Sequence, residues 1–188
     1  MRDLSLHLLD IIQNSIAADA SKIITTIYAN QSDDELGIIV EDNGHGMDKE
    51  LLDKVTDPFV TTRKTRNIGI GIPLLKSSSE MAGGRLDIDS TRGKGTVLKS
   101  TFKIGHIDRL PLGDVSDTFV SLIAARPDIE YELKLYNGNE SYLFNSFEIK
   151  EKLGDVPITE YEVLAWIREF INEGVKTIFG GVLNEINS

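Results

Sequence analysis

The sequence predicts an α+β protein: an α/β sandwich built on a mixed or antiparallel sheet, followed by a small α+β unit. Two observations predict it. Helical and strand patterns alternate through the first half in the order helix, two strands, helix, loop, helix, two strands, and the strands come in adjacent pairs. Pro111 and Gly113 then interrupt the pattern near residues 106–113, and a second set of helices with one hairpin follows. The expected units are residues 1–105 and 106–188.

Each element has its own signal. Leu4, Leu8, Ile11, Ile12, Ser15 and Ile16 recur at helical spacing, so residues 4–18 read as an amphipathic helix. Ile23–Ala29 and Leu36–Glu41 are short β-branched runs around the polar stretch Asn30–Glu35, which predicts a hairpin. Asp48 opens a short helix to Val55, and Ile72–Met81 forms another, closed by Gly83 and Gly84. Arg85–Ser90 and Thr96–Ile104 are strands around a turn at Arg92–Gly95. In the second unit Ser116 is expected to cap a helix to Ala125. Ile129–Tyr136 and Ser141–Phe147 flank Asn137-Gly138, a hairpin signal. Thr159 and Glu162 form a capping-box pattern before a last helix, whose Trp166 and Phe170 are expected in the core.

Composition narrows the function. With 40% hydrophobic and 27% charged residues in 188, the chain can bury an ample core. The longest apolar run falls far short of the roughly 18 residues a membrane helix needs. The N-terminus carries Asp3 and Asp10 in an amphipathic pattern without a small-residue cleavage site, so no signal peptide and a cytoplasmic location are expected. There is no cysteine, hence no disulfide and no thiolate metal site. The net charge of −10 argues against nucleic acid as a partner, and residues 106–188 carry most of it, with 7 basic and 15 acidic side chains. That acidity suits either a solvated surface or a docking face for a basic partner.

Four motifs in the first unit carry chemistry. Asp10 and Asn14 stand one turn apart on one helix face. Asp42-Asn43-Gly44-His45-Gly46 ends a strand with a carboxylate at a glycine turn, where it can accept from an adenine amino group. Gly69 and Gly71 stand at the start of a helix, whose free amides suit phosphate, with Arg63, Lys64 and Arg66 just upstream. Gly93 and Gly95 make a turn before Thr96, whose hydroxyl is placed to support Asp42. His7 reads as a polar residue at the rim of the first helix, and His106 and Asp108 as junction residues.

In this order the motifs closely resemble the N, G1, F, G2 and G3 boxes of the GHKL ATPase superfamily, over about residues 1–105. The stretch Asp57–Phe102 resembles most the catalytic domains of sensor histidine kinases, and the Asn14-Ser15 to Asp19-Ala20 segment is also similar to mismatch-repair ATPases. The resemblance implies a Bergerat fold, with helices on one face of a sheet and ATP beneath a mobile lid. It implies that Asn14 ligates a magnesium ion, that Asp42 recognises adenine with help from Thr96, and that Gly44 and Gly46 admit the nucleotide. Gly69 and Gly71 would cradle phosphate and Lys64 would neutralise its charge.

Two departures shape the expected activity. Hydrolysing members place a glutamate four residues before the asparagine; here it is Asp10, shorter by roughly 1.5 Å of reach, so it is the candidate base of a slow or absent hydrolysis. A sensor kinase carries a phosphoacceptor histidine ahead of this domain, whereas here the first helix begins almost at Met1. The leading expectation is therefore an ATP-dependent kinase that phosphorylates a separate protein in trans. The alternatives are an ATPase switch that opens and closes a homodimer, and a nucleotide-sensing module.

Overall fold

Alternation along one strand sets the sidedness of the whole molecule. The computed structural model describes residues 2–56 and 71–183. Strand β1 (Lys22–Asn30) buries every second residue, Ile23, Thr25, Ile27 and Ala29. It pairs antiparallel with β2 (Glu35–Asp42), in a register that sets Ile23 opposite Asp42 and Ile27 opposite Ile38. Strand β4 (Gly95–Lys103) continues the sheet on the far side of β2, with Thr96 opposite Asp42, and β3 (Leu86–Thr91) forms that edge. Partners in register share a face, so Asp42, Ser90 and Thr96 lie on the same side as the buried Ile38, Val40 and Leu98.

Helices cover this buried side. Helix α1 (Leu4–Ala17) brings Leu4, Leu8, Ile11 and Ile12 into the core, and Asp3 caps it by accepting from the amide of Leu6. It packs on α3 (Gly71–Met81) and on α4 (Val115–Ala125). The short α2 (Lys49–Lys54) is opened by Asp48, as its sequence predicts. The opposite side of the sheet is polar, with Lys22 on Glu130 at 2.8 Å and Lys134 on Glu132 at 2.8 Å. Such exposed pairs add little stability.

Residues 106–188, expected as a separate small unit, extend this sheet instead of forming their own. Strand β5 (Glu130–Tyr136) lies parallel to β1, with Ile23 opposite Tyr131, and β6 (Ser141–Asn145) closes the other edge. The six-stranded order is β3-β4-β2-β1-β5-β6, a mixed sheet, and one hydrophobic core runs through both halves. The physical reason is that β1 has two hydrogen-bonding edges and β2 satisfies only one.

Several local expectations change. Asp114, not Ser116, caps α4, accepting from the amide of Asp117 at 2.8 Å and from the Ser116 hydroxyl at 2.7 Å. The strand expected to reach Phe147 ends at Asn145, whose carboxamide accepts from the amides of Phe147 and Glu148 and starts helix α5 (Ser146–Leu153). The Thr159–Glu162 capping box does not form; α6 (Tyr161–Phe179) begins after Glu160 with no side-chain cap. Trp166 is 49% exposed instead of in the core, stacked on Phe170.

Phe119 of α4 is fully buried and meets Phe144 of β6 edge-on at 6.3 Å. Phe119→Ala should cost about 3–5 kcal/mol. Because the core is shared, urea unfolding followed by far-UV circular dichroism and by Trp166 fluorescence should give one coincident transition in the wild type. Two separated transitions would mean that residues 106–188 fold independently.

Candidate functional site

The Asp42 carboxylate ends β2 on the helix side of the sheet, and both its oxygens are held. Oδ2 accepts from the Ser15 hydroxyl of α1 at 2.7 Å, and Oδ1 accepts from the Gly44 amide at 2.9 Å. Each oxygen keeps a further lone pair, so the group can still accept a hydrogen bond from a ligand. Asn43 fixes the strand end, its side-chain oxygen accepting from the amides of Ser21 and Lys22 at 2.9 Å each. The following loop threads between α1 and the β3–β4 turn: His45 donates its amide to the Ala18 carbonyl at 2.8 Å, and Gly93 donates to the His45 carbonyl at 2.7 Å.

This threading leaves no room for side chains. A Cβ on Gly44 would stand 2.6 Å from the Ala18 oxygen, and one on Gly46 would stand 2.2 Å from the Thr91 oxygen. Gly95 is the most constrained, with φ +106° and a Cβ position 1.9 Å from the Asp42 carbonyl oxygen. The backbone of the glycine loop after Asp42 is thus packed against the backbone of its neighbours.

Along α1, His7, Asp10 and Asn14 stand at one-turn intervals on the side that meets α3. The built Cβ of Gly71 would lie 2.9 Å from the Cβ of Asp10, so the glycine lets the first turn of α3 close against that carboxylate. Asn14 Nδ2 is buried yet finds no hydrogen-bond partner among the described residues. A buried amide group left unpaired costs about 1–3 kcal/mol, so this carboxamide is not consumed by the fold. Lys64 and Gly69 lie outside the described residues.

Two assignments shift. Thr96 stands opposite Asp42 in the sheet, but its hydroxyl is 2.9 Å from the Ser90 hydroxyl, which also donates to the Gly95 carbonyl oxygen and accepts from the Met47 amide. The hydroxyl on the Asp42 carboxylate is that of Ser15. The sequence signal for it is a hydroxyl residue next to Asn14 at a core-facing position of the apolar stripe. His7 is not a rim residue: it is 2% exposed, with Nε2 3.1 Å from the Ser78 hydroxyl of α3 and Nδ1 without a partner among the described residues. Burial pushes its imidazole below the ordinary 6.5, against the opposing pull of Asp10 and Asp3.

Two measurements test this geometry. The folded state favours neutral His7, so the unfolded chain takes up the proton first as pH falls. The stability His7 contributes is complete above about pH 6.5 and is lost as pH drops through that value toward its lower folded pKa. His7→Leu should flatten the acid limb of stability measured by urea midpoints between neutral and mildly acid pH. Gly95→Ala should lower the urea midpoint through both strain and the clash at Asp42; an unchanged midpoint would contradict the packing described.

The model of the histidine kinase-, DNA gyrase B- and HSP90-like ATPases matches residues 2–106, more than half of the chain. An NtrY-like protein from Rickettsia conorii, named as a sensor histidine kinase, is 33% identical over 90 residues, covering 48% of this chain and 14% of its own. Sporulation kinase C from Bacillus subtilis is 33% identical over 91 residues, covering 48% of this chain and 21% of its own. The chain therefore spans only a small part of these relatives. Among solved structures, the N-terminal domain of a DNA repair protein superposes with a TM-score of 0.53 at 16% identity, over 76% of this chain and 52% of that one. At that identity the likeness concerns the fold alone. With the ordered motifs and the sheet that carries them, the match over residues 2–106 means that the chain belongs to the histidine kinase-, DNA gyrase B- and HSP90-like ATPase family.

Proposed function

We propose that residues 1–105 bind ATP with magnesium, and that the chain phosphorylates a separate protein in trans. One observation supports the binding reading: the doubly held Asp42 carboxylate is bonded to Ser15 of α1, and the neighbouring Asn14 has a buried side-chain amide with no partner among the described residues. Asp42 would accept the exocyclic amino group of adenine, which guanine replaces by a carbonyl. Ser15 orients that carboxylate, and Gly44 and Gly46 let the loop after it pack closely on the Ala18 and Thr91 backbone. Asn14 would hold magnesium, which when bound neutralises phosphate charge. Gly71 would offer its backbone to phosphate beside Asp10, with Gly69 and Lys64 completing the cradle.

In transfer to an acceptor hydroxyl or imidazole, the bond between the γ-phosphorus and the bridging oxygen breaks and a bond to the acceptor forms. ADP leaves, and the acceptor's proton passes to a base. We assign that role to Asp10, which stands one turn from Asn14 and against Gly71. The kinase reading is supported by the sensor-kinase relatives and by the acidic residues 106–188, which we read as the recruiting part. We assign the activity to the cytoplasm, where ATP is supplied. Asp10 in place of a glutamate favours a nucleotide sensor over a fast ATPase switch, should transfer be absent.

Calorimetry should show ADP bound at least tenfold more tightly than GDP, and Asp42→Asn should weaken ADP by about 10–100-fold, the range for a hydrogen bond to a charged group. Asn14→Ala should weaken magnesium-dependent ATP binding more than binding of ADP alone. Transfer from γ-labelled ATP to a genomically neighbouring protein should vanish in Asn14→Ala, while Asp10→Asn should lose turnover and keep binding. Equal affinity for ADP and GDP would remove the Asp42 assignment; label released only as free phosphate would remove the kinase.

A further inference from the structure

The exposed side of α6 carries Glu162, Trp166, Glu169 and Glu173, spaced four, three and four residues apart, so they form one stripe. Trp166 is the only tryptophan of the protein, and half of it is exposed. It is not an isolated apolar residue. Its ring stacks on Phe170 at 5.0 Å and 27°, and Phe170 lies 4.9 Å from Tyr142 of the edge strand β6. The Tyr142 hydroxyl donates to the Phe170 carbonyl at 3.0 Å, and Gly174 makes room for the ring, since a Cβ there would stand 2.4 Å from it. The three rings form a fixed aromatic shelf at the open end of the sheet.

Charge identifies what would lie on it. Of the cations on the helix, Arg168 is held by Asp117 of α4 at 2.7 Å, and Lys176 stands at the far end of the stripe, one turn beyond Glu173. Among the described residues no cation pairs with Glu162, Glu169 or Glu173. Glu173 stands beside the shelf, since the next residue, Gly174, packs against the Tyr142 ring. An aromatic face attracts a cation, tryptophan most of all, and a carboxylate rim does the same. Phosphate-bearing surfaces, whether nucleic acid or anionic lipid, are repelled by both the rim and the eight excess negative charges (15 minus 7) of residues 106–188.

We propose that this shelf docks a lysine- or arginine-bearing segment of a partner protein, a cation lying over Trp166 and its neighbours pairing with Glu162, Glu169 and Glu173. The proposal rests on the reading that the chain acts on a separate protein, and it names the surface that holds that protein. Strand β6 is three strands from β2, about 14 Å at the usual spacing, so an occupied shelf leaves Asp42 open to nucleotide.

Trp166 reports its own occupancy. Titrating the full chain with a short synthetic peptide of alternating lysine and leucine should change Trp166 emission saturably and protect it from acrylamide. Raising salt from about 0.05 to about 0.3 M should weaken the affinity several-fold. The exposed double substitution Glu169→Lys with Glu173→Lys should weaken it at least tenfold while leaving the urea midpoint and ADP affinity in place. No response, an equal response to a glutamate–leucine peptide, or indifference to the double substitution overturns the proposal. So does an emission change that follows protein concentration without peptide, which would give the shelf to a second copy. Peptide binding with no phosphoryl transfer to any partner leaves the shelf standing and removes only the kinase reading.

Discussion

Strand β1 is hydrogen-bonded along both edges, to β2 on one side and β5 on the other, and the rest of the molecule depends on that arrangement. Its alternation turns Ile23, Thr25, Ile27 and Ala29 to the helices, and register then forces Asp42 and Thr96 to the same side at the end of the sheet. A one-residue slip would send the carboxylate to the opposite face. The side-chain bonds of Asn43 to the backbone of Ser21 and Lys22 lock that end of the pairing.

The same strand couples two parts of the chain with different character. The family match covers residues 2–106, yet β5 and β6 complete the sheet and α4 packs on α1. Helix α1 therefore touches α3 through His7 and Asp10, also packs on α4, and reaches Asp42 through Ser15. Helix α1 is thus the element that the second half of the chain and the Asp42 loop share.

Backbone proximity gives the site its rigidity. Gly44, Gly46 and Gly95 each admit a neighbouring main-chain oxygen where a side chain would sit, so the loop after β2 and the β3–β4 turn brace one another. The carboxylate at their centre is held from two sides, by the Ser15 hydroxyl and the Gly44 amide.

The sequence by itself determined the element order of the first half, because periodicity, glycine turns and helix caps such as Asp48 are local signals. It also singled out the candidate site residues, because four short motifs stand in a fixed order along the chain. Tertiary structure alone decided that Ser15, not Thr96, supports Asp42, because a hydroxyl's partner depends on where α1 crosses the sheet. It decided that His7 is buried against Ser78, a contact between residues 71 positions apart. It decided that Trp166 stays half exposed, because Ile167, Ile171, Gly174 and Ile178 already fill the core side of α6. And it decided that the second half joins the first in one sheet: a strand's free edge is invisible in its own residues and is satisfied only by what the fold brings beside it.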